Sequence, residues 1–157
     1  MDWALVILAF FQSAAAPQGP EQPIAYSHKS HLSMGLQCKN CHENKDPGEA
    51  MGIPVTAKCM ACHQSVKKDS PQITKLAEFH ASNRPVPWQR VYQLPGFVFF
   101  SHKTHLQIGA ECKTCHGEVA QRDRLFKEVG IAMGDCMECH RKNKASNDCM
   151  YCHEQRQ

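Results

Sequence analysis

The longest run of apolar residues in this chain lies near its start. Ala4-Leu5-Val6-Ile7-Leu8-Ala9-Phe10-Phe11 is unbroken, and Gln12, Ser13 and Ala14 to Ala16 follow it. As a helix, residues 3–16 would span about 21 Å, short of the roughly 30 Å hydrocarbon core of a bilayer. The segment therefore reads as a signal peptide over residues 1–15. Pro17 blocks a cut directly after Ala16, which places cleavage at Ala15/Ala16. An uncleaved N-terminus is the alternative reading, and it or a partner would supply the chain's only contact with a membrane. A periplasmic or otherwise exported location follows. Beyond this run, Cys, His, Pro and Gly punctuate the chain every few residues. The pattern predicts short helices at five cysteine motifs and at two Ser-His-Lys segments, with loops elsewhere. Leu94-Pro95-Gly96-Phe97-Val98-Phe99-Phe100 is the one predicted strand.

Length and charge narrow the classes. With 157 residues the chain is one compact domain or two very small ones, not a multidomain enzyme. Eighteen Lys+Arg against 15 Asp+Glu gives +3, too balanced for a nucleic-acid binder. Ten Cys and ten His in so short a chain set it apart.

All ten cysteines fall into one pattern. It is Cys38-Lys39-Asn40-Cys41-His42, Cys59-Met60-Ala61-Cys62-His63, Cys112-Lys113-Thr114-Cys115-His116, Cys136-Met137-Glu138-Cys139-His140 and Cys149-Met150-Tyr151-Cys152-His153. Roughly 0.04 copies of C-x-x-C-H are expected by chance at this composition, so five are no accident. The motif is the attachment site of c-type haem. Two thiols three apart share one side of a helical turn and bond the two vinyl edges of one porphyrin, and the next residue's imidazole points at the iron. A disulfide scaffold would place no demand on the residue after each second Cys, yet it is His every time. Zinc sites are not built from five separate Cys-Cys-His triplets.

Five histidines, His42, His63, His116, His140 and His153, are proximal ligands by this reading. His28, His31, His80, His102 and His105 remain, as many as the irons, and four of them occur in two matching Ser-His-Lys-Ser/Thr-His-Leu segments. The expectation is five covalent haem c groups, each with two His axial ligands, a closed arrangement that carries electrons and leaves no position for a substrate. Met60, Met137 and Met150 lie inside the motifs and are expected to pack on porphyrin. Met34, Met51 or Met133 could replace one His.

Tyr26-Ser27-His28-Lys29-Ser30-His31-Leu32 before Cys38 repeats as Phe100-Ser101-His102-Lys103-Thr104-His105-Leu106 before Cys112, at a constant offset of 74. A second site follows each copy. The chain therefore divides into a dihaem unit over 16–68, a Pro-rich linker over 69–99 carrying His80, a second dihaem unit over 100–142, and a fifth site over 143–157. The two His of each segment are three apart and face one way on a helix, so each can cap a different iron. By count, His80 is left for the fifth haem, although crossed pairings are equally allowed. The covalent haems are expected to supply the core of so small a chain.

The Tyr/Phe-Ser-His-x-x-His segment ahead of Cys-x-x-Cys-His resembles the class III multihaem cytochromes c, small periplasmic electron carriers with closely packed bis-His haems. The likeness implies a duplicated class III fold with little regular structure, short helices and loops wrapped round haem. It also implies that the first His of each segment caps the haem that follows: His28 over the Cys38/Cys41 haem and His102 over the Cys112/Cys115 haem. Residues 85–153 carry a narrower likeness through Pro87-Trp88-Gln89-Arg90-Val91, Leu94 to His102, Cys115-His116-Gly117, Met133-Gly134-Asp135-Cys136 and Cys139-His140-Arg141. That stretch is similar to the pentahaem cytochrome subunit of alternative complex III, a quinol-oxidising membrane complex. The implied role is an electron relay between such a complex and periplasmic redox proteins. The alternatives are a subunit of an extracellular cytochrome filament and a multihaem reductase with an open haem.

Overall fold

The computed structural model describes residues 19–153, so the predicted signal peptide lies outside the described residues. The helices are α1 (His28–Leu32), α2 (Cys38–Cys41), α3 (Thr56–His63), α4 (Pro71–Ala81), α5 (His102–Gln107), α6 (Cys112–His116), α7 (Met133–Lys142) and α8 (Cys149–His153), with a 3-10 turn at Val119–Gln121. Every cysteine motif and both Ser-His-Lys segments are helical, as the spacing predicts. Among the described residues there is no strand.

Two expectations give way. The predicted strand at 94–100 is a turn, closed by Val98 N–H donating to Pro95 O at 3.0 Å, and then an extended piece tied to α8 by Phe99 N–H donating to Cys152 O at 2.8 Å. Pro95 has no N–H for a ladder, and no second extended segment lies alongside. The second correction is α4, which occupies a stretch expected to be loop. Pro71 stands at its first turn, where a proline starts a helix rather than breaking one. Ile73, Leu76 and Phe79 then recur on one face, and that face packs on α3.

Leu76, Ile24 and Val86 are the buried apolar residues among those described, with Cys59, Met60, Ile73, Phe79 and Trp88 against them. Ile53, Val55, Met34 and Ile108 are at least half exposed. Three buried side chains are a slight core for a chain of this length, and covalent attachment at the motifs is what makes such a fold feasible.

The two halves embrace reciprocally. Lys103 N–H of α5 donates to Gly48 O at 2.9 Å, and Lys29 N–H of α1 donates to Arg122 O at 3.0 Å. These four positions are equivalent in the repeat, since Lys29 maps to Lys103 and Gly48 to Arg122 at the same offset of 74. Each histidine-bearing helix thus docks on the segment that follows the other half's cysteine motif.

Candidate functional site

The site is built outward from two serines. Ser27 caps α1 by accepting from Ser30 N–H at 3.0 Å, and Ser101 caps α5 by accepting from Thr104 N–H at 3.2 Å. Each cap starts a helical turn whose first and fourth residues are histidines. An aromatic residue fixes both rings in each copy. Tyr26 stacks on His31 at 4.4 Å and meets His28 edge-on at 4.8 Å, while Phe100 stacks on His105 at 4.5 Å and meets His102 edge-on at 4.8 Å. Burial, with Cys41 and Cys59 nearby, pushes the Tyr26 phenol up to about 12.

Four imidazole pairs result. His28 faces His42 with ring centroids 6.4 Å apart and planes 10° apart, and His102 faces His116 at 6.4 Å and 5°. His31 and His63 stand 6.1 Å apart at 63°, and His105 and His140 stand 6.2 Å apart at 29°. An iron bonded to two imidazoles at about 2.0 Å each, as metal–imidazole bonds run, sets ring centroids about 6.3 Å apart. The four spacings fit one iron between each pair. The two histidines of α1 therefore turn to different motifs, as do those of α5.

The nitrogens are prepared for that role. Seven histidines place Nδ1 on a backbone carbonyl, which can only accept, so Nδ1 is the donor and Nε2 is the nitrogen left for a metal. The partners are Ser27 O for His31 (2.7 Å), Gly52 O for His42 (2.8 Å), Val66 O for His63 (2.9 Å), Glu49 O for His102 (2.7 Å), Ser101 O for His105 (2.8 Å), Ser146 O for His140 (2.6 Å) and Phe97 O for His153 (3.3 Å). His28 differs: its Nδ1 is buried without a partner. Burial, then His42 and His31, lowers it to about 4, so the ring is neutral. Burial, then His102 and His42, likewise lowers His116.

His80 and His153 stand apart from this set. Every histidine of the chain is among the described residues, and no imidazole faces either ring. His80 lies exposed on α4 with Nδ1 3.2 Å from Thr56 Oγ1. The ring of Phe97 stands 5.9 Å from that of His153. Met34 and Met133 are largely exposed and Met51 is half-buried.

The cysteines of successive motifs adjoin. Burial raises the Cys59 thiol, with Cys41 adding to it, and burial raises Cys112, which also meets Cys38. Burial raises Cys115 with Cys139 beside it, and raises Cys136 with Asp135 and Cys152 beside it. Sequence reasoning missed Tyr92. Its ring stands 4.8 Å from that of His116, and its hydroxyl donates to His116 O at 3.3 Å and accepts from Glu128 N–H at 2.9 Å. A lone tyrosine in a loop gives no signal of this in the sequence.

Comparison with known proteins gives the family. Residues 98–154 match the family described as cytochrome c7 and related cytochrome c, and residues 30–89 match cytochrome c3. Over 142 residues the chain is 32% identical to the multihaem cytochrome c subunit of menaquinone reductase from Nitratidesulfovibrio vulgaris, covering 76% of this chain and 68% of that protein. The chain belongs to the class III-like multihaem cytochromes c. It is therefore an electron carrier whose haem c is bonded covalently through cysteine. No helix among the described residues of the cytochrome is long and apolar enough to cross a membrane.

Proposed function

We propose that this cytochrome is an exported pentahaem relay, with one haem c at each of its five motifs, working between a quinone-linked membrane complex and periplasmic redox proteins. The four imidazole pairs at 6.1–6.4 Å carry the reading. Haem c, once attached, supplies an iron that cycles between ferric and ferrous states. The chain's own residues do the rest. At the four paired sites two imidazoles would hold the iron between them, leaving no place there for an external molecule. Backbone carbonyls on Nδ1 fix the orientation of six of the eight paired rings, which keeps rearrangement small. The partner class is supported by the relative's place in a menaquinone reductase. Export is supported by the N-terminal apolar run and by a haem type that is assembled outside the cytoplasm.

His105→Ala tests the assignment. It removes the imidazole facing His140 and leaves His140, Cys136 and Cys139 in place. One iron of the holoprotein is expected to turn high-spin and to bind carbon monoxide, with haem number unchanged. A variant with the unaltered spectrum would contradict the pairing.

A further inference from the structure

The neighbouring sites form a row with an unmatched histidine at each end. Helix α1 joins the motifs of α2 and α3 through His28 and His31, and α5 joins those of α6 and α7 through His102 and His105. The reciprocal embrace sets the halves together, with Lys103 on Gly48, Lys29 on Arg122, and Cys38 beside Cys112. Helix α8 follows α7 after six residues, and Ser146 O between them accepts from His140 Nδ1 of α7 at 2.6 Å. The order along the row is α3, α2, α6, α7, α8.

At the α3 end stands His80, exposed on α4 and held at Thr56, the first residue of α3. At the α8 end stands His153, with Nδ1 on Phe97 O and no imidazole opposite. One end offers a ligand without an iron, and the other holds an attachment motif without a second imidazole. Exposed apolar side chains border both, Ile53 and Val55 before α3, and Phe97 and Met150 at α8.

We propose that the site on α8 is completed by His80 of a second copy of this chain. Copies then join head to tail, and the last site of one adjoins the first site of the next. The joined surfaces are different, so the contact is heterologous and builds rings or open rows rather than closed twofold dimers. The proposal rests on the reading of α8 as a haem site.

The test uses mature holoprotein, with haem number from intact mass, spin state from electron paramagnetic resonance, and size from sedimentation, over a dilution series. All irons low-spin in associated protein, with one iron per chain turning high-spin and binding carbon monoxide on dilution, is the expected result. His80→Gln should lock the dilute behaviour at every concentration, and circular dichroism reports whether it folds. A low-spin fifth iron at all dilutions would overturn the proposal, above all with the absorption band of a methionine thioether on iron, which would place the ligand within one chain. A fifth iron that is high-spin at all concentrations would overturn it too, as would a His80→Gln protein that still associates. Fewer than five haems would contradict the pentahaem reading instead.

Discussion

Glu128 ties the second half together at the scale of single side chains. It accepts from Arg122 Nε at 2.6 Å and Nη2 at 3.0 Å and from the backbone N–H of Glu118 at 3.2 Å. The Arg122 guanidinium holds its carboxyl below the usual carboxylate range. A lowered folded value means the contribution is complete above the unfolded value of about 4.3 and is lost as pH falls through the folded one. Thermal melts across acid pH should show this fall in the native cytochrome. Glu128→Gln should lower the melting midpoint at neutral pH and flatten the fall. An unchanged acid profile would remove Glu128 from the account. The ten cysteines and five motif histidines stood out as candidates because C-x-x-C-H names its own chemistry, and His28, His31, His102 and His105 because their segment repeats, whereas His80, chosen by count, faces no imidazole. The carbonyls of Ser27, Glu49, Gly52 and Ser146 were not, because a backbone acceptor has no residue type to betray it.

At the level of elements, the repeat was readable and α4 was not. Counting Pro71 among the marks of a linker hid its place at a helix start, and the Ile73, Leu76, Phe79 stripe was the overlooked signal. That stripe supplies Leu76 to the buried core and packs Ile73 and Phe79 against it. Leu76→Ala should cost about 2–5 kcal/mol, read from denaturant melts, by opening a cavity beside Ile24 and Val86. The strand at 94–100 failed for the opposite reason, since its aromatic residues serve α8 and α5 instead of a sheet. The embrace depends on a glycine. Gly48 has φ +93°, and a side chain there would press on Lys103. Gly48→Ala should loosen α5, seen as faster hydrogen exchange at Lys103 N–H, with α4 unaffected. Equal exchange in both proteins would show that the embrace does not depend on this turn.

Across the whole molecule the sites differ in what steadies their histidines. Both rings of the His31/His63 and His105/His140 pairs donate Nδ1 to carbonyls, whereas only His42 of the His28/His42 pair does. A donated Nδ1 proton makes the imidazole a stronger donor and favours ferric iron, which lowers the potential. The planes of His31 and His63 lie at 63° against 10° for His28 and His42, so their resonance signals separate. In a potentiometric titration the signal of the crossed pair should persist to lower potential than that of the parallel pair at His28/His42. The reverse order would contradict this role for the carbonyls. How the halves adjoin could not be read from a linear repeat, because the bonds that join them run between backbone groups far apart in the chain.

The central claim is that five attachment motifs hold five haems and that four of them are closed by the paired histidines. Intact mass with electron paramagnetic resonance, on protein made in a host that matures c-type cytochromes, tests it most directly. The account predicts five haems per chain, no free thiol, and at least four low-spin ferric irons with two imidazoles each. Fewer than five haems, cysteines recovered as disulfides, or high-spin iron at any of the four paired sites would contradict it.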